Sequence, residues 1–126
     1  MNSLSVTALT LAYLGDSVYE VYIRKYLISK GIAKVNNLQK EAIEYVSAKG
    51  QCKFVTLMLE ENFLTQEEID VFHRARNYKT TSHPKNTDII TYKYATGFEA
   101  VIGYLSLNND INRIEEIINY CIERGV

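Results

Sequence analysis

Leu11-Ala-Tyr-Leu-Gly-Asp-Ser-Val-Tyr-Glu20 decides the reading of this chain, because it sets a carboxylate inside a segment that is apolar on nearly every face. Leu9, Leu11, Leu14, Val18, Val21, Tyr22, Ile23 and Leu27 cover the whole circumference of a helix. A helix of that kind sits in the middle of a fold or at a subunit interface. The pattern predicts a helix from about Val6 to Ser29, stopping at Gly31. Glycine in a helix interior costs about 1 kcal/mol relative to alanine, so Gly15 implies close approach by another backbone or a ligand. Glu20 and Arg24 are spaced to pair with each other, which leaves Asp16 without a basic partner.

Ala95-Thr-Gly-Phe-Glu-Ala-Val-Ile-Gly-Tyr104 repeats that setting around Glu99. Small residues at 95, 96, 97, 100 and 103 allow another helix to come close. A carboxylate buried in such company costs several kcal/mol unless it is paired or binds a metal. Taken alone, Glu99 reads as half of an interhelical ion pair or hydrogen bond. Two carboxylates that meet without a basic residue repel each other unless a proton or a divalent cation lies between them. Together, Asp16 and Glu99 point to one shared cation, and magnesium held by one or two carboxylates and several waters suits phosphate chemistry.

The rest of the chain reads as helix throughout, with one proline, six glycines and no strand-like runs. Asn36 or Asn37 is a candidate cap for a second helix reaching about Lys49, with Leu38, Ala42, Ile43, Tyr45 and Val46 inward. Gly50 is expected to interrupt it before a third helix, Gln51 to Glu61, that buries Phe54, Val55, Leu57 and Met58. Thr65-Gln-Glu-Glu68 fits a capping box at the start of a fourth helix that frays near Arg76. Asn77 to Asn86 reads as a loop. A fifth helix runs from Thr87 or Asp88 to Leu107, and a sixth from about Ile111 to Glu123 turns Ile114, Ile117, Ile118 and Cys121 inward. The expected architecture is all-α, a single domain over residues 1–126.

Composition narrows the function. Of the 126 residues, 47% are hydrophobic and 23% charged, which reads as globular. Ten tyrosines and no tryptophan suit surfaces that are apolar on one side and wet on the other. Cys52 and Cys121 lack metal-type spacing and read as reduced thiols. With no signal peptide or membrane-spanning stretch in the sequence, a soluble cytoplasmic protein without a membrane partner is expected. The net charge of −1 offers no bulk polycation, but it hides a local asymmetry. From His73 to Lys93 the chain carries Arg74, Arg76, Lys79, Lys85 and Lys93 against only Asp88. Arg74, Arg76, Asn77, Lys79, Lys85, Asn86 and Thr87 therefore form a candidate RNA-binding set for phosphates and ribose hydroxyls. The helix beginning near Thr87 is expected to add free backbone N–H groups for a phosphate. The segment leads directly into the helix that holds Glu99, a sensible layout for cutting a nucleic acid backbone.

These residues resemble a known family. Tyr13-Leu-Gly-Asp-Ser-Val-Tyr-Glu20 resembles the ribonuclease III signature, and Ala95-Thr-Gly-Phe-Glu-Ala-Val-Ile-Gly103 its second acidic motif. Arg74-Ala-Arg-Asn-Tyr-Lys79, Pro84-Lys-Asn-Thr-Asp88 and Thr91-Tyr-Lys-Tyr94 look specifically like Mini-ribonuclease III, the catalytic domain without its double-stranded-RNA-binding domain. The resemblance implies a homodimeric, all-helical endoribonuclease that cuts double-stranded RNA with Mg2+. It further implies maturation of the ends of large-subunit (23S) ribosomal RNA, with a ribosomal protein on the substrate as a candidate partner. Asp16 and Glu99 fall on the essential acidic positions. Ala12 and Thr96 stand where full-length ribonuclease III carries two further acids; Mini-ribonuclease III is similar in lacking them, which implies more water around the metal. The alternative reading is a non-catalytic helical RNA-binding or scaffold protein of the same fold.

Overall fold

The structure is a computed structural model that describes residues 7–78, 85 and 87–125. Six helices follow one another: α1 (Ala8–Ser29), α2 (Val35–Val46), α3 (Ala48–Glu60), α4 (Gln66–Arg76), α5 (Ile89–Leu107) and α6 (Ile111–Arg124). The all-α expectation is met, with no strand among the described residues. None of the described helices is long and apolar enough to cross a membrane.

The centre of the fold is α5, not α1. Every residue from Ala95 to Leu105 is buried except Glu99, which is half-buried. Helices α1, α3, α4 and α6 pack around it. In α1 one face is buried, through Leu11, Ala12, Gly15, Tyr19, Ile23 and Leu27. Leu9, Tyr13, Val21 and Ile28 stay exposed, so the all-round apolar pattern marks a helix with a second, unburied apolar face. Ile43 of α2, expected to point inward, is also exposed.

Helices α1 and α5 touch backbone to backbone. A Cβ added at Gly15 would lie 1.7 Å from the Glu99 carbonyl oxygen, and one at Gly103 would lie 1.9 Å from that of Leu11. The two contacts run in opposite chain directions, so the helices cross antiparallel. Tyr19 then packs edge-on against Phe98 at 4.9 Å. On the other side of α5, Gly97 accepts the ring of Phe72 from α4.

Caps account for most of the helix limits. Thr7 accepts from the Thr10 N–H and opens α1, and Gly31, at φ 87°, follows its end. The capping box at Thr65 and Glu68 forms as expected. Asn62 and Asn109 take left-handed backbone conformations after α3 and α5, and the next N–H of each reaches back to Met58 and Leu105, closing the helix ends. Two limits differ from the sequence reading. Helix α2 starts at Val35, and its N-cap Lys34, two residues ahead of the first expected asparagine cap, makes no side-chain cap bond. The break between α2 and α3 lies at Ser47, which accepts from the Gly50 N–H. Gly50 sits inside the first turn of α3, where a Cβ would stand 2.3 Å from the Glu44 carbonyl oxygen. It is there for close packing, not to end a helix.

A buried ion pair closes the far side. Glu68, already part of its capping box, receives Arg113 of α6 through Nε at 2.8 Å and a second nitrogen at 2.9 Å. The same guanidinium donates to the Phe63 carbonyl at 2.8 Å and lies over the Phe63 ring.

Gly15→Ala is expected to lose about 3 kcal/mol or more of stability, at or above the usual cost of overpacking, because backbone rather than a side chain stands in the way. Urea unfolding measures it, and a loss below about 1 kcal/mol contradicts the backbone contact.

Candidate active site

The Gly15–Gly103 crossing brings Asp16 of α1 and Glu99 of α5 together. Asp16 follows Gly15 and remains exposed, contrary to the buried setting that its apolar neighbours imply. Glu99 comes from α5 and is largely enclosed. Burial, then the Asp16 carboxyl that both hydrogen-bonds to it and repels it, push the Glu99 carboxyl up to about 8. Glu20 adds a smaller push in the same direction, and a hydrogen bond from Gln51 opposes it. The groups that act most on Glu99 include no cation, so of the two partners that Glu99 alone suggested, the described residues show no ion pair but do show the interhelical hydrogen bond, from Gln51. Glu20 meets Arg24 at 3.4 Å, the intrahelical pair expected from their spacing.

The sequence gives no pointer to Gln51, since an isolated glutamine in a helix carries no signal. It lies in the first turn of α3 and is 1% exposed. Its Nε2 donates to the Val46 carbonyl at 3.2 Å and to Glu99 at 3.4 Å. The site is thus two carboxylates and one carboxamide on three helices. No cluster of three or more His, Cys, Asp or Glu side chains suited to a metal occurs among the described residues. The donor set still fits a hard divalent cation, which takes oxygen ligands and keeps several waters. A like-charge pair that holds a proton near neutrality is also the arrangement a cation relieves.

The basic set is divided by the structure. Arg74 is exposed at the end of α4, and Lys85 is exposed beyond it. Arg76 is half-buried, with its guanidinium over the rings of Phe72 and Tyr94 and its Nε donating to the Asn77 side chain at 3.1 Å. Asn77 caps the C-terminus of α4. Thr87 is half-buried just ahead of α5. Lys79 and Asn86 lie outside the described residues. The expected phosphate seat at the start of α5 is corrected: Asp88 caps that helix, accepting from the Thr91 N–H at 2.9 Å and its hydroxyl at 2.7 Å. Those bonds hold the Asp88 carboxyl below its usual range, and its negative charge disfavours a phosphate there. At 1.5 Å per residue, this end of α5 is about 16 Å along the axis from Glu99.

Comparison with known proteins places these features. Residues 9–110 match the sequence profile of the ribonuclease III domain. Mini-ribonuclease 3 of Streptococcus pneumoniae is 44% identical over 119 residues, 94% of this chain and 93% of that protein. Mini-ribonuclease 3 of Enterococcus faecalis is 47% identical over 119 residues, covering 94% and 90% respectively. A crystal structure of a Fusobacterium nucleatum protein superposes with a TM-score of 0.86 at 33% identity, over 98% of both chains.

Because the folded protein holds the Glu99 proton to about pH 8 against an ordinary value of 4.5, its contribution to metal-free stability is present at low pH. It is lost as pH rises from that ordinary value through 8. Thermal melts in chelator should show wild type losing stability relative to Glu99→Gln across that window, by up to about 4 kcal/mol. Parallel curves for the two proteins contradict the raised carboxyl.

Proposed function

The chain belongs to the ribonuclease III domain family and is an endoribonuclease, and from that premise we propose that Asp16 and Glu99 are its catalytic, magnesium-holding pair. The observation that carries the reading is the meeting of these two carboxylates at the α1–α5 crossing, with Glu99 pushed up to about 8 and no cation paired with it among the described residues. A family that acts on double-stranded RNA needs an anchored water and a means of stabilising charge on the cleaved phosphodiester. Bound Mg2+ supplies a water of lowered pKa and positive charge at the scissile phosphate. Asp16, on the exposed side of α1, faces the incoming RNA. Glu99 anchors the site from the rigid centre of the fold.

Arg74 and Lys85, both exposed, are the foremost phosphate contacts in this reading. Arg76, Asn77, Lys79, Asn86 and Thr87 complete the RNA-binding set. Contacts of this kind read the shape and 2′-OH groups of A-form RNA more than its bases. The substrate we assign is duplex RNA at the ends of the large-subunit (23S) ribosomal RNA precursor, presented in the cytoplasm with a ribosomal protein bound.

The working form is a homodimer of this single domain. Two copies would place two such sites on opposite strands of one duplex. Support comes from the unburied apolar face of α1. Ile28, Val35 and Ile43 are exposed along a groove between α1 and α2 of about 570 Å³, and apolar surface of that kind marks an interface. The rival reading, a non-catalytic RNA-binding protein of this fold, rests on Ala12 and Thr96. The Thr96 hydroxyl donates to the Tyr92 carbonyl within its own helix.

Asp16→Asn and Glu99→Gln are expected to sediment as the same dimer as wild type and to leave duplex RNA uncut in Mg2+. Wild type should cut a duplex from the 23S precursor ends in preference to an unrelated one. Cleavage by either variant removes the pair from catalysis, a monomeric wild type removes the dimer, and equal cutting of both duplexes removes the ribosomal assignment. Arg74→Ala with Lys85→Ala should lower the salt dependence of RNA binding by about two units of log K against log salt; an unchanged slope puts the RNA elsewhere.

A further inference from the structure

Gln51 Oε1 is the buried side-chain oxygen that has no hydrogen-bond partner among the described residues. Such an acceptor is a standing cost to folding. A methionine would fill the same space without it, so a ligand for the oxygen is expected. The amide cannot turn round to relieve it, because the Val46 carbonyl at 3.2 Å accepts only and so must face the nitrogen. The same nitrogen reaches Glu99 at 3.4 Å. Oε1, at the other end of one planar carboxamide, therefore lies within an amide's width of that contact. The group is rigidly held: Gly50, immediately before it, packs its α-carbon onto the backbone of Glu44, and the neighbouring Phe54 is fully buried.

We propose that Gln51 is a positioning residue for the cation: Nε2 orients the Glu99 carboxylate, and Oε1 accepts a hydrogen bond from a water in the cation's coordination shell. The inference rests on the reading that Asp16 and Glu99 hold that cation. Magnesium demands six oxygens. Two carboxylates leave most of those positions to water, and each bound water needs acceptors to orient it. An amide oxygen accepts without adding a third negative charge to a pair that already repels. Outer-shell partners of this kind change metal affinity when they are lost.

The test is direct binding of Mn2+ to the whole protein without RNA, followed by electron paramagnetic resonance, with thermal melts in chelator as the check on folding. Gln51→Met, which keeps the volume and loses both polar atoms, should bind Mn2+ about 10- to 100-fold more weakly, and its kcat should fall more than its KM. Gln51→Leu, which also loses the Nε2 donor and the Oε1 acceptor, should bind Mn2+ comparably weakly. Unchanged Mn2+ affinity in a folded Gln51→Met or a folded Gln51→Leu overturns the role of Gln51. If Gln51→Met does not fold, the Gln51→Leu result decides alone. Wild-type Mn2+ binding that survives both Asp16→Asn and Glu99→Gln overturns the underlying site instead, so the two failures are told apart.

Discussion

The backbone contact between α1 and α5 is the constraint on which the rest depends. Gly15 and Gly103 remove the Cβ atoms that would hold the two helices apart, and each helix then rests on the peptide groups of the other. Neither glycine is needed for its own backbone angles, since both sit in regular helix. Their cost to helix propensity is offset by burial of Tyr19, Phe98 and Leu11 along the crossing. Because Asp16 follows Gly15 and Glu99 lies one turn before Gly103, the same contact forces two carboxylates together.

That forced meeting explains the electrostatics of the site. Packing holds Glu99 in a partly enclosed place where its charge is disfavoured by burial and by Asp16 together. Three arginines of the fold pair with other acids. Arg113 is locked on Glu68, Arg124 bridges to Glu61 and covers the Tyr120 ring, and Arg24 answers Glu20. Among the described residues no cation answers Glu99, and the buried Gln51 amide donates a hydrogen bond to it.

How much of this was legible in the sequence varies by element. The Thr65–Glu68 capping box and the inward face of α6 are legible in the sequence, because each depends on neighbours within a turn or two. The reading of α1 as apolar all round identified its composition but not its place: apolar surface turned to solvent at Val21 and Ile28 looks the same, in one dimension, as surface turned to the core. Gly50 looks like a break and is a packing contact, since a glycine in a string does not say whether it relaxes a backbone or admits another. The start of α5 looks like a phosphate seat, yet Asp88 fills it, a capping choice visible in the residue itself.

What the sequence determined by itself is the helical content, the family, and the two residues whose charge no neighbour along the chain could balance. Local chemistry sufficed for these, because caps, periodicity and an acid set among apolar residues are properties of short segments. Only the tertiary structure decided which helix is central, that Asp16 is exposed while Glu99 is held in, and that Gln51 joins them. Those depend on which backbones touch, and residues 16, 51 and 99 become neighbours only through the missing side chains of Gly15 and Gly103.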